Sequence, residues 1–489
     1  MPLRDYQERI VEDARGHMRQ GIKRLLLEAP TGSGKTHLSS HMMQGCAERG
    51  WPAWFMVHRE ELLNQTAGTF RSYGLPFGIN GEGGHGLQLW SVPTLANRRA
   101  ILTPPRAMFW DECHHLAART WDETFQWAAD SFHIGLSATP VLPNGKPMGR
   151  WFQKMVNGPT VPELIAGGNL SDFEYFAPDT PDLSAVRETA GGEFNTADVE
   201  KIMRGKAIVG SIVNTWHQRA FGRLTIGFAP TVKSSKMYVE AFQAAGVIAA
   251  HLDGDTPSGE RRDTAMAFAH REITMLWNVD LFGEGFDLAS LANMDVAIEC
   301  GIMARPTKSF RLKKQQDGRI LRLKPDGSKG IILDHCGNWL RHGLPDDVVH
   351  YTLDGKPRRK DASGGTSVAV TQCESCYMVF RPEPACPFCG HVRPIKERPL
   401  VYMEGELKMI ERDQREREEE EKKARRAREK EERAAQKEKD EARRKEERRE
   451  EGRARTIEEL VALGEGRGYK NSYYWAQQKM KARHGKRRK

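Results

Sequence analysis

No run of about 18 apolar residues occurs in the chain, so the sequence offers no helix able to cross a bilayer. The opening Met1-Pro2-Leu3-Arg4-Asp5 has no apolar stretch of the kind a secretory signal needs. Cysteine is sparse, with eight in 489 residues; Cys46, Cys113, Cys300 and Cys336 are scattered and the other four form two tight pairs. That distribution argues against a disulfide framework and for a reduced, cytoplasmic protein with one metal site and no membrane partner. Apolar residues are few at 39% and charged ones many at 29%, and the skew is local. Residues 411–450 carry 17 Lys+Arg against 16 Asp+Glu, whereas 451–489 carry 11 against 4. Most of the net charge of +9 therefore sits at the C-terminal end, the composition of a polyanion-binding tail.

Up to about residue 350, short apolar runs alternate with longer helix-like stretches. Strands are expected at Arg24–Glu28, Ala53–Val57, Gln88–Val92, Ala107–Trp110 and His133–Leu136. A second set is expected at Thr225–Phe228, Val247–His251, Thr274–Asn278, Asp295–Glu299 and Gly330–Leu333. Strands apolar on both faces, with helices between them, predict two α/β domains with parallel sheets, at 1–160 and 205–353, joined by a connecting segment at 161–204. A polar, Gly-rich linker at 354–369 precedes the cysteine pairs at 370–395. Residues 406–455 alternate acidic and basic blocks, with Glu418–Lys422 and Glu421–Arg425 spaced i,i+4. They have no apolar seam, so they read as a solvated single helix and a candidate docking element for a protein partner. The apolar residues return only at 456–489, enough for a small, basic helical module.

The chemistry begins at Ala29-Pro30-Thr31-Gly32-Ser33-Gly34-Lys35-Thr36, directly after an expected strand. Glycines there let backbone N–H groups turn in around phosphate oxygens, and the following helix N-terminus adds positive potential. Thr31, Gly32, Ser33 and Gly34 form the cradle, Lys35 reaches the β- and γ-phosphates, and Thr36 offers a hydroxyl to Mg²⁺. Ala29 stands where the usual pattern has its first glycine. Ala107-Met108-Phe109-Trp110-Asp111-Glu112-Cys113-His114 delivers two carboxylates to the end of a strand, where parallel sheets bind ligands. Asp111 is the candidate Mg²⁺ ligand, and Glu112 the group that polarises the attacking water.

Asp111-Glu112-Cys113-His114 resembles the DEAD/DEAH box of superfamily 2 helicases, and further segments match that family in order. Leu3-Arg4-Asp5-Tyr6-Gln7 resembles its adenine-recognition element, which implies that Gln7 reads the base of ATP. Ser137-Ala138-Thr139 resembles the motif coupling nucleotide state to domain movement. Asp280-Leu281-Phe282-Gly283-Glu284-Gly285-Phe286-Asp287 resembles the motif touching both ATP and nucleic acid, which places Gly285 and Asp287 at the nucleotide. Gln315-Gln316-Asp317-Gly318-Arg319-Ile320-Leu321-Arg322 matches the QxxGRxxR pattern, implying that Arg319 and Arg322 spread over the γ-phosphate from the second domain. The resemblance covers about residues 1–350 and implies two tandem RecA-like domains that close on ATP. Val57–Leu62 and Ser91–Leu95 resemble first-domain segments that touch the nucleic-acid backbone, and Ala229–Lys233 follows a second-domain strand end where such contacts are expected.

Cys373-x2-Cys376-x9-Cys386-x2-Cys389 offers four thiolates on two tight turns, a donor set that selects tetrahedral Zn²⁺ in a small ribbon. A superfamily 2 motor followed by such a ribbon is similar to RadD-type bacterial repair helicases and bacteriophage relatives, although the charged helix departs from their compact tail. That likeness favours DNA as the track. The motor motifs alone leave open an RNA helicase and an ATP-gated nucleic-acid-binding adaptor that unwinds nothing. No nuclease constellation stands out.

Overall fold

The computed structural model describes residues 2–58, 60–142, 146–189, 191–280, 288–292, 294, 296–354, 358–359, 369–392, 446, 449–469 and 471–485. Residues 1–394 and 395–489 form separate compact units.

Leu25, Leu26 and Leu27 fill β1 (Arg24–Glu28) with apolar side chains that point alternately to the two faces of one sheet. The same holds for β2 (Ala53–Val57), β4 (Leu87–Ser91) and β5 (Ala107–Trp110), all buried throughout. With β3 (Phe77–Ile79), β6 (Phe132–Ser137) and β7 (Lys154–Asn157) they form a seven-stranded sheet in the order β3-β4-β2-β5-β6-β1-β7. Every pairing in it is parallel. One face packs Leu25, Leu27, Phe55, Phe109 and Leu136. The other packs an unusually tryptophan-rich set, including Trp54, Trp90, Trp110, Trp121 and Trp151. The indole of Trp110 donates to Nδ1 of buried His133 at 3.0 Å, and burial pushes that imidazole down to about 4, so it stays neutral.

The second sheet holds β8 (Phe173–Phe176), β9 (Thr225–Phe228), β10 (Ala249–Leu252), β11 (Met275–Asn278), β12 (Cys300–Met303) and β13 (Gly330–Asp334). Its order is β10-β11-β9-β12-β13-β8, again all parallel. Two features depart from the sequence reading. β8 arises within the stretch read as a connector, because Phe173-Glu174-Tyr175-Phe176 is only four residues long and sits among Gly, Pro and polar residues. Its place is fixed by Tyr175, whose hydroxyl donates to buried Asp334 at 2.8 Å. The strand expected at Asp295–Glu299 instead begins at Cys300. The Glu299 carboxylate accepts from the Leu224 N–H and from Arg271, each at 2.7 Å, and Val296 and Ile298 before it are buried outside the strand.

Beyond β13, Thr371–Gln372 and Val379–Phe380 pair antiparallel to form the ribbon. Met378 bridges to Phe176 of β8, and the Ala177 N–H donates to the Tyr377 carbonyl at 2.9 Å. Arg219 lies 5.0 Å from the rings of both Phe176 and Phe388. The ribbon thus packs against the edge strand of the second sheet.

In the C-terminal unit, helices Ile457–Gly466 and Ser472–Gly485 pack around Leu460 and Ala476. The charged helix expected over 406–455 lies outside the described residues except at 446 and 449–455, where 449–453 is helical. Among the described residues no helix is long and apolar enough to cross a membrane.

Candidate active site

β1 ends at Glu28, and the chain turns through Ala29–Gly34 into the helix Lys35–Ala47. Gly34 caps that helix at φ 79°, in left-handed backbone, and a Cβ there would lie 2.7 Å from Nε2 of Gln7. Only glycine meets both demands. Nζ of Lys35 donates to the Ala29 carbonyl across 3.3 Å, a long bond easily exchanged for phosphate oxygens. The Ala29 N–H in turn donates to the Ser137 carbonyl at 3.1 Å, tying the loop to the Ser137–Thr139 segment.

Gln7 has a structural task that its motif did not announce. Its Oε1 accepts from the Arg4 N–H at 3.0 Å, and its Nε2 donates to the Ser33 and Gly34 carbonyls at 3.0 and 3.4 Å. Tyr6 adds a hydroxyl bond to the same Ser33 carbonyl at 2.7 Å. Together they brace the phosphate loop from the first helix, Asp5–Arg19. Tyr6 was visible as part of the motif, but its role depends on a contact 27 residues away.

Asp111 and Glu112 stand at the carboxyl end of β5. Burial and the adjacent Glu112 carboxylate push Asp111 up to about 7, against the opposing pull of Lys35. Asp111 Oδ1 accepts from the Glu112 N–H at 3.1 Å. Glu112 itself sits at φ 45° and ψ 54°, a left-handed conformation that costs a non-glycine residue about 1–3 kcal/mol. Its Oε2 lies 3.4 Å from Nδ1 of the buried His114. The strain aims Glu112 into the cleft rather than along the sheet edge.

The helix Phe310–Ile320 brings the second domain onto this loop. A Cβ on Gly318 would lie 2.5 Å from Cβ of Thr31, so the two domains touch where no larger side chain fits. One face of the helix presents Gln315 and Arg319, with Arg322 just beyond its end, to a cleft of about 480 Å³. Thr31, Gly32, Gly34, Lys35, Thr36, Asp111 and Glu112 line the same cleft from the first domain. Ser33 is buried behind it. The other face presents Lys314 and Asp317 to a smaller interdomain cavity of about 70 Å³, shared with Glu28. Burial pushes Glu28 up and Lys314 down, each to about 8. Buried Asp317 is ion-paired to Lys313, which stiffens the helix carrying Arg319.

The structure does not gather every candidate. Gly285 and Asp287 lie outside the described residues, as does Arg59. Ser91 and Thr231 stand at carboxyl ends of their sheets, and each caps the following helix: Ser91 accepts from the Thr94 N–H at 3.3 Å and Thr231 from the Ser234 N–H at 3.1 Å. Asn169, which the sequence reading passed over, lines the cleft from the stretch between the two sheets.

At the ribbon, the sulfurs of Cys373, Cys376, Cys386 and Cys389 all lie within 4.8 Å of one another. Cys373–Cys389 and Cys376–Cys386 are each 3.6 Å apart, near the edge of about 3.8 Å that a tetrahedron with 2.3 Å metal–sulfur bonds requires. Burial pushes the Cys376 thiol up, while the His391 N–H holds Cys389 down to about 7.

Residues 1–142 match the family model for the type III restriction enzyme res subunit, and residues 206–324 match the helicase conserved C-terminal domain. A 51.5 kDa protein of Lactococcus phage (isolate 7-9) is 32% identical over 80% of this chain and 83% of its own length. IRC3 of Saccharomyces cerevisiae, provisionally named an ATP-dependent helicase, is 26% identical over 68% of this chain; the match spans 51% of IRC3. The DNA-bound ATP-dependent type ISP restriction-modification enzyme LlaBIII shares the fold, at a TM-score of 0.51 and 16% identity. That match covers 68% of this chain and 27% of LlaBIII. With a phosphate loop, paired carboxylates and an opposing arginine pair around one interdomain cleft, the chain belongs to the superfamily 2 helicases and is an ATP-hydrolysing enzyme of helicase type.

Proposed function

We propose that this chain is a DNA-directed motor in which ATP hydrolysis opens and closes two RecA-like domains along the track. The carrying observation is the seating of Gly318 on Thr31, which places Arg319 and Lys35 around one cleft. Lys35 and the loop N–H groups bind the phosphates, and Glu112 draws the proton from the attacking water. Arg319 and Arg322 meet the charge that gathers on the γ-phosphate in the transition state. Because the groups come from both domains, hydrolysis needs closure and product release permits opening. Thr36 and Asp111 supply hard oxygen donors that suit Mg²⁺, whose role there is to neutralise phosphate charge. The DNA-bound relative and the restriction-enzyme family model support DNA as the track. ATP turnover measured beside matched duplex DNA, single-stranded DNA and RNA tests this reading. DNA should stimulate hydrolysis; stimulation by RNA alone, or by nothing, overturns it.

We also propose that the four cysteines hold one Zn²⁺. The four sulfurs have the required mutual spacing, and their thiolates would close its shell, giving a structural ion with no open position for chemistry. Elemental analysis should find one zinc per chain, lost in the Cys376→Ser/Cys386→Ser double variant. Zinc-free wild-type protein would refute this.

A further inference from the structure

We infer that the C-terminal two-helix module is a second nucleic-acid site, one that takes single strands by stacking bases on tyrosine. The module has a very small core: buried Ala454, Leu460 and Ala476, with Ile457, Val461, Leu463, Trp475 and Met480 packed against them. A unit this short of apolar area is expected to draw its aromatics inward, and Trp475 does pack there. Tyr473 and Tyr474 do not; each remains 59% exposed, and Tyr469 41%. Two adjacent tyrosines on the helix Ser472–Gly485 therefore show ring faces to solvent in the part of the chain least able to forgo their burial.

The charge around them identifies the occupant. Three acidic groups in the module are engaged in holding it together, while Glu458 and Glu465 stay exposed. Glu451 accepts from Arg467 at 2.9 Å and from Lys479 at 2.6 Å, Glu450 accepts from Arg467 at 2.8 Å, and Glu459 completes the capping box at Thr456. Exposed Arg453 and Arg455 flank the helix start. The nine residues from Lys481 to Lys489 add six Lys or Arg and no acid. Exposed aromatic rings in a stretch whose sequence carries 11 Lys+Arg against 4 Asp+Glu over 451–489 match a polyanion whose bases are unstacked, because duplex bases offer no ring face to a side chain. An acidic protein surface would use the charge but leave the paired tyrosines unexplained. The module lies in a compact unit of its own, apart in sequence from the residues that carry the ATP motifs.

The choice of nucleic acid as occupant draws on the motor reading, yet the two fail separately, since this site is tested without nucleotide. The full chain, free of ATP, is titrated onto a labelled oligo-dT of about 20 nucleotides and onto a duplex of equal length by fluorescence anisotropy. Replacing both residues, Tyr473→Ala with Tyr474→Ala, should weaken single-strand binding at least about tenfold. The Tyr473→Phe/Tyr474→Phe pair should restore it, because phenylalanine keeps the ring face. Duplex binding should change little, and the unstimulated ATPase should not change. Unaltered affinity in the alanine pair would overturn the proposal and point to a protein as the occupant. Equal loss on duplex and single strand, or failure of the phenylalanine pair to rescue, would overturn it as well.

Discussion

Glu112→Gln should lower ATP turnover by about a thousandfold while leaving nucleotide affinity nearly unchanged. The amide keeps the size and hydrogen-bonding reach of the side chain but cannot take a proton from water. The strained backbone at Glu112 and the adjoining His114 should hold the glutamine in the same place. Phosphate release measured beside a fluorescent-nucleotide titration separates chemistry from binding. Lys35→Ala, by contrast, should lose both, since in the proposed mechanism Lys35 reaches the phosphates before and during reaction. Full turnover in Glu112→Gln would show that another group activates the water.

Arg319→Ala should reduce kcat by about a thousandfold or more, the usual worth of an arginine brought to the γ-phosphate in phosphoryl transfer. Arg319 is 7% exposed and reaches the cleft from the domain opposite Lys35. Its loss should therefore uncouple closure from nucleotide, which is a different failure from that of Glu112→Gln. The glutamine variant should still hold nucleic acid more tightly when ATP is bound, whereas Arg319→Ala should not. Arg319→Lys should recover little, because one ammonium cannot replace a planar fork of donors. Comparing nucleic-acid affinity with and without ATP in the two variants checks this. Turnover within tenfold of wild type in Arg319→Ala would remove the residue from the chemistry.

The strands that carry the site were legible because β1 and β5 have apolar centres buried on both faces. The loop and the carboxylate pair were legible because their chemistry is local, fixed by glycines and by a strand end. What escaped the sequence reading is non-local. β8 is only four residues long in a stretch otherwise rich in Gly, Pro and polar residues, and its place is held by the bond from Tyr175 to Asp334. The apolar stretch before Cys300 looked like a strand, but Val296 and Ile298 are buried ahead of β12 without forming one. The brace from Tyr6 and Gln7 and the seating of Gly318 on Thr31 are contacts between distant segments that no spacing rule could reveal.

The position of β8 also bears on how the chain assembles. Phe173 pairs with Gly330, so the first strand of the second sheet to be synthesised must wait for the last before it gains a neighbour. Some 150 residues of chain have to be gathered before that pairing forms, and closing so long a loop is slow. The second domain should therefore acquire its native edge only late in biosynthesis, and the ribbon can dock on that edge only afterwards. A nascent or truncated chain ending before Gly330 would carry β8 as an unpaired, aromatic-rich segment, which is the kind of intermediate that chaperones bind and that aggregates when they do not.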